Sequence, residues 1–116
     1  MKFVALAAIV AVIAVPAAYA GSAGSTTLTG TVGPGFTITL KKGTTNVTKL
    51  KAGTYVFKIS DKSSIHNFHI KGPGVDKKTG VGFQGSVTWK LKLSPGKYTF
   101  MCDPHKAFMH GSFTVS

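Results

Sequence analysis

The sequence predicts an all-β protein, a Greek-key β-sandwich of about seven to eight strands. Apolar and polar residues alternate over several short segments, which places every second side chain on one face of a strand. Turn signals built on glycine and proline separate these segments at short intervals, as in sandwich and barrel proteins. No segment after residue 20 shows a helical period, and the fourteen glycines of the chain also disfavour helix.

Each alternating segment is predicted to be a half-buried strand, because its apolar residues share one face. The apolar sets are Phe36, Ile38 and Leu40; Tyr55, Phe57 and Ile59; Val87, Trp89, Leu91 and Leu93; and Phe113 and Val115. The turn signals between them include Gly33-Pro34-Gly35, Lys42-Gly43, Gly72-Pro73-Gly74 and Ser94-Pro95-Gly96. Residues 75–85 lack strand patterning and are predicted to be a surface excursion.

The N-terminus has the layout of a secretory signal peptide. Lys2 precedes an apolar run of 13 residues, and the small-residue sequence Ala18-Tyr19-Ala20 follows that run. We expect cleavage after Ala20, so that residues 1–20 are the signal peptide and 96 of the 116 residues remain. The apolar run is shorter than the ~20 residues that span a bilayer, and no stable membrane span is expected. The sequence thus predicts export to the periplasm or the extracellular face of the cell envelope.

The exported part is predicted to be a monomer with one domain. Residues 21–27 are small and polar, which indicates a flexible leader, and residues 28–116 suffice for one core but not for two. Cys102 is the only cysteine, so it has no partner within the chain even where disulfides persist. An inert buried thiol, an intermolecular disulfide and a metal ligand all remain open for it.

The charge balance is strongly positive, with a net charge of +11. The chain has fourteen lysines and no arginine, and its only acidic residues are Asp61, Asp76 and Asp103. Such a balance favours anionic partners. Nucleic acid is not expected, because the chain is predicted to be exported and lacks the arginines that dominate base recognition. A lysine surface that serves solubility is the alternative to a docking role.

Residues 102–109 place a thiol, an imidazole and a thioether close together, on Cys102, His105 and Met109. A thiolate with imidazole nitrogen suits copper, and a weak axial thioether distinguishes an electron-transfer copper site from a zinc site. Pro104 cannot continue a strand ladder, so we expect it to turn the chain and bring His105 back to the same centre as Cys102.

A trigonal copper site needs a second histidine, and His66 is the leading candidate. If the segment is a strand, His66 shares a face with Phe68 and Ile70, which mark the core side. His69 then falls on the opposite face and is predicted to be solvent-facing.

The axial position has rival donors. Cys102 shares its strand face with Phe100, so Met101 points to the other side and is expected to pack against a neighbouring element. His110 directly follows Met109 and is the alternative axial donor if the loop is wound differently.

The order of these residues on an alternating β background resembles the small blue copper proteins, the cupredoxins related to plastocyanin, pseudoazurin and amicyanin. The resemblance spans about Leu28 to Ser116, and the separation of His105 from Met109 lies between those of plastocyanin-like and amicyanin-like proteins. The residues that carry it are His66, Asn67, Cys102, Pro104, His105, Met109 and Gly111.

The resemblance implies one type 1 copper ion. His66, Cys102 and His105 would be its equatorial ligands and Met109 its long axial ligand, while Asn67 would hold the ligand loops together by hydrogen bonds. The implied function is that of an electron carrier, not an enzyme, which shuttles single electrons between redox partners.

His105 would be the electron port, with Phe108 and Lys106 beside it. The partner expected there is an acidic or heme-bearing redox protein. Copper storage, delivery or tolerance without a redox partner is the alternative function. A copper enzyme is disfavoured, because the four histidines and one cysteine of the chain leave no donors for a second centre.

Overall fold

A computed structural model of the protein describes residues 25–116, so the predicted signal peptide and residues 21–24 of the leader lie outside the described part. The described chain forms ten strands and one 3-10 turn. The strands are β1 (Thr26–Val32), β2 (Ile38–Lys42), β3 (Thr45–Asn46), β4 (Lys49–Leu50), β5 (Gly53–Asp61), β6 (His69–Gly72), β7 (Val75–Lys78), β8 (Gly85–Leu93), β9 (Gly96–Met101) and β10 (His110–Val115), with the 3-10 turn at Asp103–His105.

Two five-stranded sheets carry these strands. Their orders are β3-β2-β1-β5-β8 and β4-β10-β9-β6-β7. Strands β1 and β5 run parallel, as do β10 and β4, whereas the other neighbours are antiparallel. The predicted all-β sandwich class is confirmed. The strand number is higher than seven or eight, partly because the two-residue strands β3 and β4 are too short to show alternation.

The alternation of β5, β8, β9 and β10 builds the core as predicted. In β5 the buried apolar residues are Tyr55, Phe57 and Ile59, and in β10 they are Phe113 and Val115. A ring stack between Phe68 and Phe100, with centroids 5.8 Å apart, joins the segment before β6 to β9. Val87 and Leu91 of β8 are only partly buried, whereas Trp89 and Leu93 are buried.

The predicted strands also differ from the structure in their details. Phe36 was expected to share the inward face of Ile38 and Leu40, but it precedes β2 and is 57% exposed. Residues 75–85 were expected to lack a strand, but Val75–Lys78 form β7, an edge strand whose residues are mostly exposed and therefore show no apolar alternation. Strand β1 begins at Thr26, two residues before the predicted start of the domain.

One edge of the sandwich gathers the loops that carry the predicted ligands. Parallel pairing places the ends of β1 and β5 at the same edge, where Lys62 N donates to Val32 O over 2.9 Å. The Phe36 ring, from the loop after β1, meets the rings of His66 and His105 with centroids 5.3 and 5.1 Å away. The loops after β1, β5 and β9 therefore converge at this edge.

Candidate metal centre

Three donor atoms from two loops converge at this edge. Cys102 Sγ lies 3.6 Å from His66 Nδ1 and 3.5 Å from His105 Nδ1, and the two Nδ1 atoms are 3.1 Å apart. His66 and Cys102 are fully buried, and His105 is half-buried. Within residues 25–116 this is the one group of three or more His, Cys, Asp or Glu side chains that is arranged to hold a metal ion.

The spacing of the three donors fits one metal ion. An ion about 2.0–2.1 Å from nitrogen and about 2.3 Å from sulfur, with angles of about 110–120°, keeps its donors about 3.3–3.8 Å apart. The observed separations of 3.1, 3.5 and 3.6 Å lie close to this range. Two imidazoles and one thiolate are the equatorial set of a type 1 copper site, so the donor chemistry and the geometry fit the same ion.

The loop that carries Cys102 and His105 is closed by backbone hydrogen bonds. Cys102 N donates to Met109 O over 3.0 Å, and His105 N donates to Cys102 O over 3.0 Å. Met109 N donates to His105 O over 2.8 Å. The turn expected at Pro104 is present, because this residue lies in the first turn of the 3-10 segment. At that position a backbone N–H has no partner within the helix, so proline loses no hydrogen bond. These bonds hold the thiol and imidazole of the loop in place.

Met109 and His110 differ sharply in their surroundings. Met109 is 1% exposed at the end of the same loop. His110 is exposed, begins β10, and hydrogen-bonds through Nδ1 to Lys106 O over 2.8 Å. The His110 ring is therefore held at the surface by the loop backbone, and His110 does not belong to the three-donor group.

Asn67 links the two ligand loops. Its Oδ1 accepts from Asp103 N over 2.7 Å, and its Nδ2 donates to Asp103 Oδ2 over 2.8 Å. Nδ2 also donates to Thr79 O over 3.1 Å. Because Asn67 follows His66 and Asp103 follows Cys102, the pair ties the two loops together directly behind the donors.

His69 is not solvent-facing, and that prediction is wrong. It is 8% exposed, with Nδ1 2.8 Å from Asp103 Oδ1 and Nε2 2.6 Å from Asp76 Oδ1. Strand alternation does not apply here, because β6 begins only at His69, and residues 66–68 are all buried without forming a strand.

Phe36 is a neighbour of the site that the sequence analysis missed. It meets both histidine rings edge-on, and its centroid is 5.8 Å from that of Phe108. Phe36 and Phe108 are 57% and 60% exposed, so they form an apolar surface beside His105. Lys106 is exposed next to it.

The three acidic residues differ in the direction of their pKa shifts. The hydrogen bond from His69 holds the pKa of Asp76 below its ordinary value. Burial alone would raise the pKa of Asp103, but hydrogen bonds from His69 and Asn67 outweigh it, so this pKa is also lowered. Burial raises the pKa of Asp61, although a hydrogen bond from Ser63 N and the charge of His66 partly oppose it.

A fold of two packed sheets with a buried His-Cys-His group at one edge defines a class of blue copper proteins. A sequence profile of the family described as "Cupredoxin-like domain" matches residues 3–115, and the chain therefore belongs to this family. Family and donor set together indicate a copper-binding electron-transfer protein with one type 1 copper ion.

Solved structures of rusticyanin share the fold. Reduced rusticyanin superposes with a TM-score of 0.59 at 20% identity, covering 78% of each chain. A second structure, described as the copper protein rusticyanin, gives a TM-score of 0.59 at 19% identity, covering 78% of this chain and 76% of the other. Rusticyanin from Thiobacillus ferrooxidans gives 0.50 at 20% identity with the same coverage. No curated protein sequence matches the chain significantly.

Within residues 25–116, no helix is both long enough and apolar enough to cross a membrane. The predicted signal peptide lies outside those residues, so its cleavage and the export of the chain stay predictions.

Proposed function

We propose that this chain is an exported type 1 copper protein that carries single electrons between redox partners and is not itself an enzyme. The convergence of His66 Nδ1, Cys102 Sγ and His105 Nδ1 within 3.6 Å of one another carries the proposal. Type 1 copper supplies one-electron cycling between Cu(I) and Cu(II). The protein supplies the ligands and the surface through which a partner approaches.

Each ligand has a separate part in holding the ion. The Cys102 thiolate and the imidazoles of His66 and His105 would be the three strong ligands of the ion, and the thioether of the buried Met109 would be its weak fourth ligand. The hydrogen bonds of the loop and of Asn67 join groups other than the three donor atoms, so the ligand positions depend little on the oxidation state of the ion. A centre whose ligands barely move suits electron transfer.

The electron port is His105 with the apolar surface of Phe36 and Phe108. His105 is the half-buried member of the ligand set, and both phenylalanine rings contact its ring. Lys106 adds positive charge beside this surface, within a chain of net charge +11. An acidic or heme-bearing redox protein is the partner of matching charge, and added salt should slow its association. Association rates that do not change with salt would contradict this partner class.

The copper assignment is tested by adding Cu(II) to the purified protein that lacks residues 1–20. We expect an intense visible thiolate-to-copper band that saturates at one ion per chain and a type 1 electron-paramagnetic-resonance signal. The matched variant Cys102→Ala should bind copper without this band. A wild-type protein without the band, or a Cys102→Ala protein that retains it, would refute the assignment.

The axial ligand is tested with Met109→Gln and His110→Ala. Met109→Gln should change the position of the visible band and lower the reduction potential, since the axial donor tunes both. His110→Ala should leave the spectrum unchanged, because its ring hydrogen-bonds to Lys106 O at the surface. The reverse result would make His110 the axial donor.

A further inference from the structure

His69 is held between two carboxylates. Its Nε2 lies 2.6 Å from Asp76 Oδ1 on β7, and its Nδ1 lies 2.8 Å from Asp103 Oδ1 in the 3-10 turn after β9. The chain has three acidic residues in all, and two of them contact this one ring. The side chain of His69 is only 11% exposed, whereas that of Asp76 is 64% exposed.

The two carboxylates favour one protonation state of this ring. A neutral imidazole has one N–H donor, and its other nitrogen presents a lone pair. A lone pair directed at a carboxylate oxygen over 2.6–2.8 Å would be repelled, whereas a doubly protonated ring donates to both acids. The lowered pKa of Asp76 agrees with this arrangement. Lys78 lies opposite His69 on the neighbouring strand β7. The two carboxylates offset the positive charge of Lys78 as well as that of the ring.

The clamped ring is connected to the cysteine loop without a gap. Asp103 uses Oδ1 toward His69 and Oδ2 toward Asn67, and its backbone N–H donates to Asn67 Oδ1. Asp103 directly follows Cys102, and Asn67 directly follows His66. A continuous series of hydrogen bonds therefore runs from an exposed carboxylate on the β6–β7 hairpin to both loops that carry the copper donors.

We propose that His69 is a positioning residue that stays an imidazolium, and that it uses Asp76 and Asp103 to hold the Cys102 loop against the His66 loop. Its effect on copper rests on the proposed function, whereas its protonation state and clamp do not. The exposed Asp76 thereby influences copper retention from a place where it cannot be a ligand.

The clamp is tested on the variants Asp76→Ala and Asp76→Asn. Asp76→Ala removes the acceptor and the charge, whereas Asp76→Asn removes the charge but leaves an oxygen that can accept. Ser112→Lys is the matched control, because it makes the same change of one positive unit at an exposed position of the same sheet, away from His69. Substitution of an exposed residue leaves the core packing intact, and His69→Gln is the more severe companion variant.

Two measurements separate the clamp from the copper function. Nitrogen-15 NMR of the metal-free wild type at neutral pH should show protons on both ring nitrogens of His69, and a ring with a single N–H would overturn the proposal. Copper loss to a chelator should be faster by about tenfold in Asp76→Ala and His69→Gln, the lower end of the range for outer partners of metal ligands. Asp76→Asn should fall between Asp76→Ala and the wild type, and Ser112→Lys should match the wild type.

The pattern of copper-loss rates decides the result. Equal rates in Asp76→Ala and the wild type would overturn the positioning role, as would an equal acceleration in Ser112→Lys, which would assign the effect to net charge. Should the wild type show no thiolate-to-copper band at all, the proposed function would fail. The NMR signals of the metal-free ring would still test the clamp.

Discussion

His66 and His69 lie three residues apart, and the protein surrounds them in opposite ways. His66 directs Nδ1 at a thiol and a second imidazole, and its buried Nε2 has no hydrogen-bond partner among the described residues. His69 places both ring nitrogens against carboxylate oxygens. The same side chain thus faces a thiol and an imidazole at one position and two carboxylates at the other. The neighbours that the fold supplies, more than the residue type, decide which histidine can hold a metal.

The largest expected effect comes from replacing each of these two histidines in turn. His66→Gln should weaken Cu(II) binding by more than about 100-fold and remove the blue band, because a ligand is lost from the equatorial plane. His69→Gln should keep the band and cost about tenfold, the lower end of the range for a residue behind the ligands. Competition with a chelator of known affinity measures both. Equal losses in the two variants would erase the distinction between ligand and clamp.

The sequence predicted the donor group of His66, Cys102 and His105 better than the contacts around it. Cys102 and His105 are close in sequence, so the turn at Pro104 was enough to bring their donor atoms together, and strand alternation correctly turned Cys102 inward. The clamp could not be predicted in this way, because His69 reaches Asp76 through the β6–β7 hairpin and Asp103 through the pairing of β6 with β9. Contacts of this kind depend on sheet register, which alternation alone does not give.

Phe36 illustrates a second limit of the sequence pattern. Its spacing from Ile38 and Leu40 fits alternation, yet β2 starts only at Ile38 and the Phe36 ring lies on the two histidines. Alternation assigns a face only within a strand, and Gly33, with φ of 73°, begins a turn just before this residue. His66 faces the interior as predicted, but the prediction assumed that residues 66–68 form a strand, whereas they form a buried loop.

The next largest effect is expected at Asp103, which hydrogen-bonds to both His69 and Asn67. Asp103→Asn offers one acceptor oxygen where Asp103 offers two, so either the His69 Nδ1–H or the Asn67 Nδ2–H loses its partner. An unsatisfied buried donor costs about 1–3 kcal/mol, and we expect about 2 kcal/mol less stability in urea unfolding of the metal-free protein. Asn67→Asp is the companion variant, because it places a second carboxylate directly against that of Asp103 and should be at least as destabilising. A loss below about 0.5 kcal/mol, the usual range of surface substitutions, would show that the acid contributes little beyond its backbone contact.

The smallest expected effect distinguishes Asp76 and Asp103, which contact His69, from Asp61, which does not. Asp61 is 2% exposed, its Oδ1 accepts from Ser63 N over 3.0 Å, and its Oδ2 has no partner among the described residues. Its raised pKa means that the folded state binds a proton more readily than the unfolded chain, whose ordinary value is 3.8. Its stabilising contribution is therefore complete below that value and is lost as pH rises through the pKa of the folded state.

Asp61→Asn keeps an oxygen for Ser63 N and removes the buried charge, so it should stabilise the metal-free protein at neutral pH by about 1 kcal/mol, the low end of the cost of an unpartnered buried polar group. This advantage should shrink as pH falls through the pKa of folded Asp61 and vanish when the wild-type carboxyl is protonated. Asp76→Asn should behave in the opposite way, because a lowered pKa stabilises the fold above 3.8 and that contribution is lost on acidification. Urea unfolding of the three proteins over a series of pH values measures both slopes. If stability changed with pH in the same way in Asp61→Asn and Asp76→Asn, the pKa values of Asp61 and Asp76 would not be shifted in opposite directions as the structure indicates.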